Sequence, residues 1–342
     1  MIGFSPLIPL SLGFAIPDIF LPMAPNKPLT IAAFFDTRPG HAKQTLGILN
    51  ALGQRTATET IRIDLDHQGF AKDFTTWLRF FLWPGNKARI EIAEADLIIG
   101  TGSRTHIPML SQARMSGIPV VTCMTPSSLL RKHFSLCCVP LHDRTPASSN
   151  IFFTQGPPNP CLSKHLHDPQ RGLILVGGID EKSHHWDTSS LLANIRTLVH
   201  DSTSTKWTIS SSPRTPLETN AGLQKLAAEE ADVTFIRFEE TGPGWIEKEY
   251  DRNAIVWVSA DSMSMVFESL SAGCKVGLLP VKWKKSDCKF QRCEKTLREH
   301  GYVISFSDWQ GEATVWPSFE PLHEAERCAE EILKRWWPER LL

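Results

Sequence analysis

The sequence has almost no net charge. Its 36 Lys and Arg residues nearly balance 37 Asp and Glu, leaving −1 with histidine neutral. No global field therefore draws the chain to nucleic acid, and any basic surface must be local. It also lacks a CxxC pair among its eight cysteines: Cys137 and Cys138 are adjacent, Cys288 and Cys293 lie close together, and the others are scattered. That spacing argues against a zinc site or a redox dithiol, and buried reduced thiols of a cytoplasmic protein are the simplest account. An uninterrupted apolar run is missing too. Residues 1–22 are apolar but contain Pro6, Pro9, Pro17 and Pro22 and have no Lys or Arg. A secretory signal wants a basic start and a spanning helix an unbroken run, so neither fits. Met23, just ahead of ordinary domain sequence, is read as the natural start, or residues 1–23 as a poorly ordered arm; a membrane-dipping segment is the third option. An intact Met1 in the mass spectrum of natively expressed protein would exclude the first. No short repeat is visible.

What is present is ample for a core. A chain of 342 residues that is 42% apolar and 21% charged is expected to fold as two domains. Strand and helix signals alternate from residue 29 onward. Leu29–Phe35, Thr60–Asp64, Asp96–Gly100, Ile118–Cys123, Leu136–Pro140 and Ile151–Thr154 read as strands, with helices after Gly40 and after Thr105. Gln155–Arg171, with Pro157, Pro158, Pro160 and Pro169, reads as a linker. A second set follows: strands at Gly172–Val176, Lys206–Ser210, Val233–Arg237, Ala254–Ser259 and Lys275–Val281, with helices at Ser189–His200, Leu217–Glu230 and after Asp261. This rhythm predicts α/β architecture with two parallel, doubly wound, Rossmann-like sheets and a cleft between them.

The residues that carry chemistry sit where those strands end. Asp261, Ser262 and Ser264 open a helix after an apolar strand, and Glu268 lies one turn inside it. A helix N-terminus with hydroxyls suits a diphosphate, and a carboxylate suits both hydroxyls of a ribose. The plain alternative is a capped helix with a solvated Glu. After the first strand comes Asp36-Thr37-Arg38-Pro39-Gly40-His41. Gly40 can let a substrate approach the backbone and His41 is typed for general-base work, or this is an ordinary Pro-Gly turn. Gly100-Thr101-Gly102-Ser103 lacks the third glycine of a dinucleotide fingerprint, and no Walker lysine follows. Gly177-Gly178 is a similar signal, with Asp180 and Glu181 beside it, and Arg214 can pair with phosphate or remain a surface Arg. The aromatic stripe Phe70–Lys87 and the end Leu333-Lys334-Arg335-Trp336-Trp337 read as core packing or as a membrane-resting face. His184, His185 and Trp186 make a candidate sugar-binding edge without the carboxylates a metal would want.

Taken in order, these loops resemble the mitochondrial-fission "elongated mitochondria" family, whose bacterial members are classed with GT-B glycosyltransferases. The resemblance runs from about Thr30 to Val281. It rests on Arg38-Pro39-Gly40-His41 with Gln44, Ala95 to Gly102 with Arg104 and Thr105, Pro140, His142-Asp143, Gly177-Gly178, Trp186-Asp187, Ser212 with Arg214-Thr215-Pro216, and Asp261-Ser262 with Ser264-Met265 and Glu268. This chain departs from the family pattern at Lys43, Ile179-Asp180 and Pro213, where relatives tend to carry Asn, a Pro-Ser pair and Arg.

The resemblance implies a GT-B-like fold: an N-terminal acceptor lobe over residues 24–155, a linker over 156–171, and a C-terminal nucleotide-sugar donor lobe over 172–320. A C-terminal helix over 321–342 would pack back on the first lobe. It implies metal-independent transfer with no cofactor beyond the nucleotide-diphosphate sugar. Gly177, Gly178, Ser212, Arg214, Asp261, Ser262, Ser264, Met265 and Glu268 would hold the donor. His41, or Asp36, would deprotonate the acceptor, with Arg38, Gly40, Gly100, Thr101, Gly102 and Arg104 lining the cleft. The acceptor expected is a lipid-linked or saccharide component of the cell envelope, met in the cytoplasm or at the inner face of the cytoplasmic membrane. Two other readings stay open: a non-catalytic scaffold, as the fission role of plant relatives suggests, and a nucleotide-sugar epimerase.

Overall fold

A computed structural model describes residues 27–65 and 94–341. The expectations for residues 1–23 and for the Phe70–Lys87 stripe lie outside the described residues. Six strands form the first sheet: β1 (Leu29–Phe35), β2 (Thr58–Asp64), β3 (Leu97–Thr101), β4 (Val120–Cys123), β5 (Leu136–Pro140) and β6 (Ile151–Thr154). All pair in parallel, in the order β2-β1-β3-β4-β5-β6. β1 is buried along its whole length, because a parallel strand covered on both faces has no solvent side to alternate toward. Ile31, Ala33 and Phe35 meet the helix α1 (Pro39–Arg55), while Ala32 and Phe34 meet the helix Ser103–Ser116. β2, at the edge, keeps several exposed positions.

The second sheet repeats the plan with β7 (Asp168–Leu175), β9 (Lys206–Ser210), β10 (Val233–Ile236), β11 (Asn253–Ser259), β12 (Lys275–Leu279) and β14 (Val303–Ser305). Its order is β10-β9-β7-β11-β12-β14, again all parallel. One face packs on the helices Met263–Ser271 and Lys289–Glu299, the other on Thr188–His200 and Leu217–Glu229. A short antiparallel pair, β8 (His184–His185) with β13 (Lys282–Trp283), stands outside this sheet. The architecture is the α/β, doubly wound, two-sheet fold that the strand rhythm predicts.

The chain between the sheets is packed against both lobes. Asn159 is buried, and its amide donates to Ser271 Oγ at 3.0 Å. Gly47 on α1 is small because a Cβ there would sit 2.6 Å from the Asn159 carbonyl carbon. The last helix, Glu324–Trp336, returns to the first lobe, where Cys328, Ala329, Ile332 and Leu333 share a core with Ile48 and Leu52 of α1. All eight cysteines are free thiols, and burial pushes Cys137, Cys274 and Cys293 up to about 12. Among the described residues no helix is long and apolar enough to cross a membrane.

Candidate functional site

In the first sheet β1 and β3 are neighbours while the chain continues in opposite directions from them. Their C-terminal loops therefore meet at a switch point, where open α/β sheets leave a crevice. Asp36 follows β1 directly. Its Oδ1 accepts the Arg38 N–H at 3.0 Å, a local turn that leads into Pro39 at the start of α1. Its Oδ2 lies 2.7 Å from His41 Nδ1, and side-chain exposures of 1% and 13% place this pair inside the crevice wall. The carboxylate favours a proton on Nδ1, which leaves Nε2 as the basic nitrogen. Gly102 completes the wall: its φ is 101°, and a Cβ would run into the His41 ring and come within 2.8 Å of Asp36 Oδ2.

The other first-lobe candidates divide by burial. Gly100 and Thr101 lie inside β3 as packing positions, Gly100 against Phe34 and Met109, and Thr101 bonded to Thr45 across 2.9 Å. Arg38 and Gly40 are exposed at the mouth of the crevice, and Arg104 reaches Thr37 Oγ1 at 3.4 Å. Behind them His106 is buried, 3.4 Å from Thr122 Oγ1.

The second sheet has its switch point between β7 and β11, and Asp261 is the centre of that loop cluster. Its side chain is 1% exposed and accepts from the Gly178 N–H at 3.1 Å, Ser259 Oγ at 2.7 Å, Arg214 at 2.8 Å and Ser262 Oγ at 3.3 Å. The Gly177 N–H goes to Ser259 Oγ at 2.7 Å, and Ser212 Oγ donates to the Gly177 carbonyl at 2.8 Å. Arg214 also donates to the carbonyls of Gly178 and Ile179. Gly177, Gly178, Ser212, Arg214, Asp261 and Ser262 are thus brought together, but largely to one another. Asp261 fixes the loops, and the two glycine N–H groups are committed within the protein. Ser264 and Met265 lie on the outer side of the first helical turn, exposed and half-buried.

Glu268 is different. It is 4% exposed, and Oε2 accepts from Lys43 of the opposite lobe at 2.8 Å and from the Tyr250 hydroxyl at 3.4 Å. Burial opposes the charge on Lys43, but the Glu268 carboxylate outweighs it and holds the ammonium above its ordinary range. Lys43 stands on α1 two residues past His41, so this contact places the His41 turn and the Glu268 helix on the same cleft. A second tie joins Asp143 after β5 to Lys289 at 2.7 Å, and the His142 ring stacks on Phe267 at 6.2 Å. Sequence reading did not place Tyr250 or Ser259 in the site, and met Lys43 only as a departure from pattern. Away from the cleft, His184 is buried against Trp283, while His185 and Trp186 border a cavity of about 320 Å³ with Asp187, Asn194 and Lys282.

Burial pushes both His106 and His142 down to about 4; the charge of His41 adds to the first and Lys289 to the second, while Asp143 opposes the shift at His142. An unfolded histidine titrates near 6.5. Between those values the unfolded chain takes up protons that the folded chain refuses. Stability is therefore full above pH ~6.5 and falls as the medium is acidified toward ~4. Thermal melts across that range are expected to show the loss, and His106→Gln to flatten it.

A family model for mitochondrial fission ELM1 matches residues 39–336. No curated protein matches the sequence. Among solved structures, a protein of Listeria monocytogenes assigned as a UDP-N-acetylglucosamine 2-epimerase superposes with a TM-score of 0.54 at 12% identity, over 92% of this chain and 91% of that one. MnaA of S. aureus, solved with UDP, gives 0.50 at 13% identity over 92% and 90%. The glycosyltransferase SnogD of Streptomyces nogalater gives 0.48 at 12% identity over 90% and 96%. At these identities the first two likenesses are ones of fold, two facing Rossmann-like lobes of the GT-B kind.

Proposed function

From the premise that the chain belongs to the mitochondrial fission ELM1 family, we propose that it is a metal-independent glycosyltransferase using a nucleotide-diphosphate sugar. The observation that supports this best is the Lys43–Glu268 contact of 2.8 Å, which sets an Asp–His pair on one lobe across the cleft from a helix-borne carboxylate on the other. Glu268 is given the ribose hydroxyls, and the start of the Met263–Ser271 helix, with Ser262 and Ser264, the diphosphate. His41 Nε2 takes the proton of an acceptor hydroxyl. That oxygen bonds to the anomeric carbon as the carbon–oxygen bond to the diphosphate breaks, and the nucleoside diphosphate leaves with the electron pair. Arg214, at the rim of the donor loops, is given the task of balancing that charge, sharing its bond to Asp261 with the leaving group. Keeping the lobes closed excludes water, which matters because hydrolysis competes with transfer. The proposed acceptor is a lipid-linked or saccharide hydroxyl of the cell envelope, met at the inner membrane face.

A panel of UDP-, GDP- and CMP-sugars in thermal melts tests the reading. One of them at 100 times its dissociation constant is expected to add about 2.7 kcal/mol of stability. No stabilisation by any of them would favour a scaffold, and a rearranged nucleotide sugar formed without acceptor would favour an epimerase. The scaffold has one observation on its side: Arg214 and Glu268 are both paired internally.

A further inference from the structure

Glu268 presents a conflict. The reading above gives it to the donor ribose, yet its Oε2 is held by Lys43 at 2.8 Å, and the residue is 4% exposed. With Lys43 from the facing lobe and the Tyr250 hydroxyl both on that oxygen, a ribose hydroxyl would compete with the lysine for it. Lys43 is itself partly accessible, with a side-chain exposure of 33%, so its ammonium can swing from the carboxylate toward the cleft. α1, which carries Lys43, also begins beside the Asp36–His41 pair, so a shift of this helix moves both.

We propose that Lys43 is an internal competitor for the donor site: it bolts the empty protein closed on Glu268 and is displaced by an incoming nucleoside diphosphate. This rests on the assignment of Glu268 to the ribose. The exchange conserves ionic partners. Two ribose hydroxyls replace the ammonium as donors to Glu268, and the ammonium passes from one anion to another, the diphosphate. A nucleoside without phosphates offers the first half of the exchange and not the second. It is expected to bind poorly for want of a new partner for Lys43, beyond the loss of its own phosphate contacts. The closed arrangement would then be the resting state, and donor arrival would open and re-form the contacts of the cleft.

The test compares the full-length wild type with Lys43→Ala, Lys43→Gln and Glu268→Gln. Small-angle X-ray scattering reads the separation of the lobes, and calorimetry reads affinity for UDP, GDP, CDP and the matching nucleosides. Glutamine at position 43 keeps a hydrogen-bond donor and serves where alanine fails to fold. Both position-43 variants are expected to scatter as a more open molecule. They should bind the matching nucleoside about tenfold more tightly, since it no longer has to leave Lys43 without a partner, and change little toward the nucleoside diphosphate, which supplies that partner in the wild type. Glu268→Gln should open the lobes equally and gain no affinity, which separates competition from a merely structural tie. Unchanged scattering in the position-43 variants overturns the bolt, and open lobes with weaker or equal nucleoside affinity overturn the competition. If no nucleotide binds any of the four proteins, the donor-site reading is overturned, while scattering still decides whether the pair holds the lobes together.

Discussion

Replacing His41 is expected to cut sugar transfer by about two to four orders of magnitude while leaving donor affinity near that of the wild type, the range usual for loss of a positioned general base. The expectation follows from geometry. Asp36 holds His41 Nδ1 at 2.7 Å, so the remaining nitrogen faces outward from a wall in which Gly102 leaves room for the ring. His41→Ala also strips a buried carboxylate of one of its partners, although Asp36 keeps the Arg38 N–H. The alanine variant should therefore lose about 1–3 kcal/mol of stability as well. His41→Gln is the cleaner replacement, because its amide can still donate to Asp36. Steady-state rates at saturating donor, with donor affinity measured separately by calorimetry, distinguish a lost base from a lost binding site. A glutamine variant that transfers sugar at the wild-type rate would remove the base from this lobe. Asp36→Asn should mimic the loss, since an amide no longer favours the Nδ1 proton.

Much of the fold was legible because its strands are nearly continuous apolar runs. LTIAAFF in β1 and AIVWVS in β11 carry no alternation, which marks strands covered on both faces, and helical patterns between them leave few arrangements other than parallel sheets. What escaped was short or heavily charged. The helix Trp245–Arg252 reads WIEKEYDR and buries only Glu249 and Tyr250, so its apolar face is too narrow to announce itself. β8 and β13 are two residues each and exist only through their pairing. The stretch before β7 is rich in proline and reads as a linker, yet Asn159 is buried in it, because packing between α1 and the Met263–Ser271 helix is a property of the assembled lobes.

The site was legible in part, for a related reason. A helix-opening Asp looks the same in sequence whether its carboxylate turns outward to a ligand or back into its loop. Asp261 turns back, since the Gly178 N–H, 83 positions away in sequence, needs an acceptor that only the folded sheet brings near, and the Ser259 hydroxyl two residues before Asp261 donates to it as well. The crevice pair Asp36 and His41 lies within one short turn, so its residues could be singled out. Lys43 and Glu268 are 225 positions apart, and nothing local says that they touch. The departure at Lys43 was visible as an unusual residue, but its role depends on a carboxylate in the other lobe.

Removing the charge of Glu268 is expected to weaken nucleotide-sugar binding by about 10- to 100-fold, the range for losing hydrogen bonds to an ionised acceptor. The structure changes which substitution should be read. Glu268→Ala leaves a hole beside the Tyr250 hydroxyl and frees Lys43, so a loss of binding in that variant mixes several causes. Glu268→Gln keeps the shape and one acceptor oxygen while removing the charge. Lys43 is partly exposed and can turn to water, so the glutamine variant should melt within a few degrees of wild type. The reverse change is harsher. Lys43→Ala strands a carboxylate whose side chain is 6% exposed, and breaking a buried pair from that side costs about 3–5 kcal/mol. Unequal melting of the two variants would thus show the pair to be buried on the glutamate side alone. Sugar recognition separates a ribose ligand from a structural carboxylate: wild type should discriminate strongly against 2′- and 3′-deoxyribose nucleotides, and Glu268→Gln should lose that discrimination along with affinity. Calorimetry with matched ribose and deoxyribose nucleotides reads both. A glutamine variant that binds more weakly yet discriminates as well as wild type would leave Glu268 as a support for the cleft and move the ribose contact elsewhere on the second lobe.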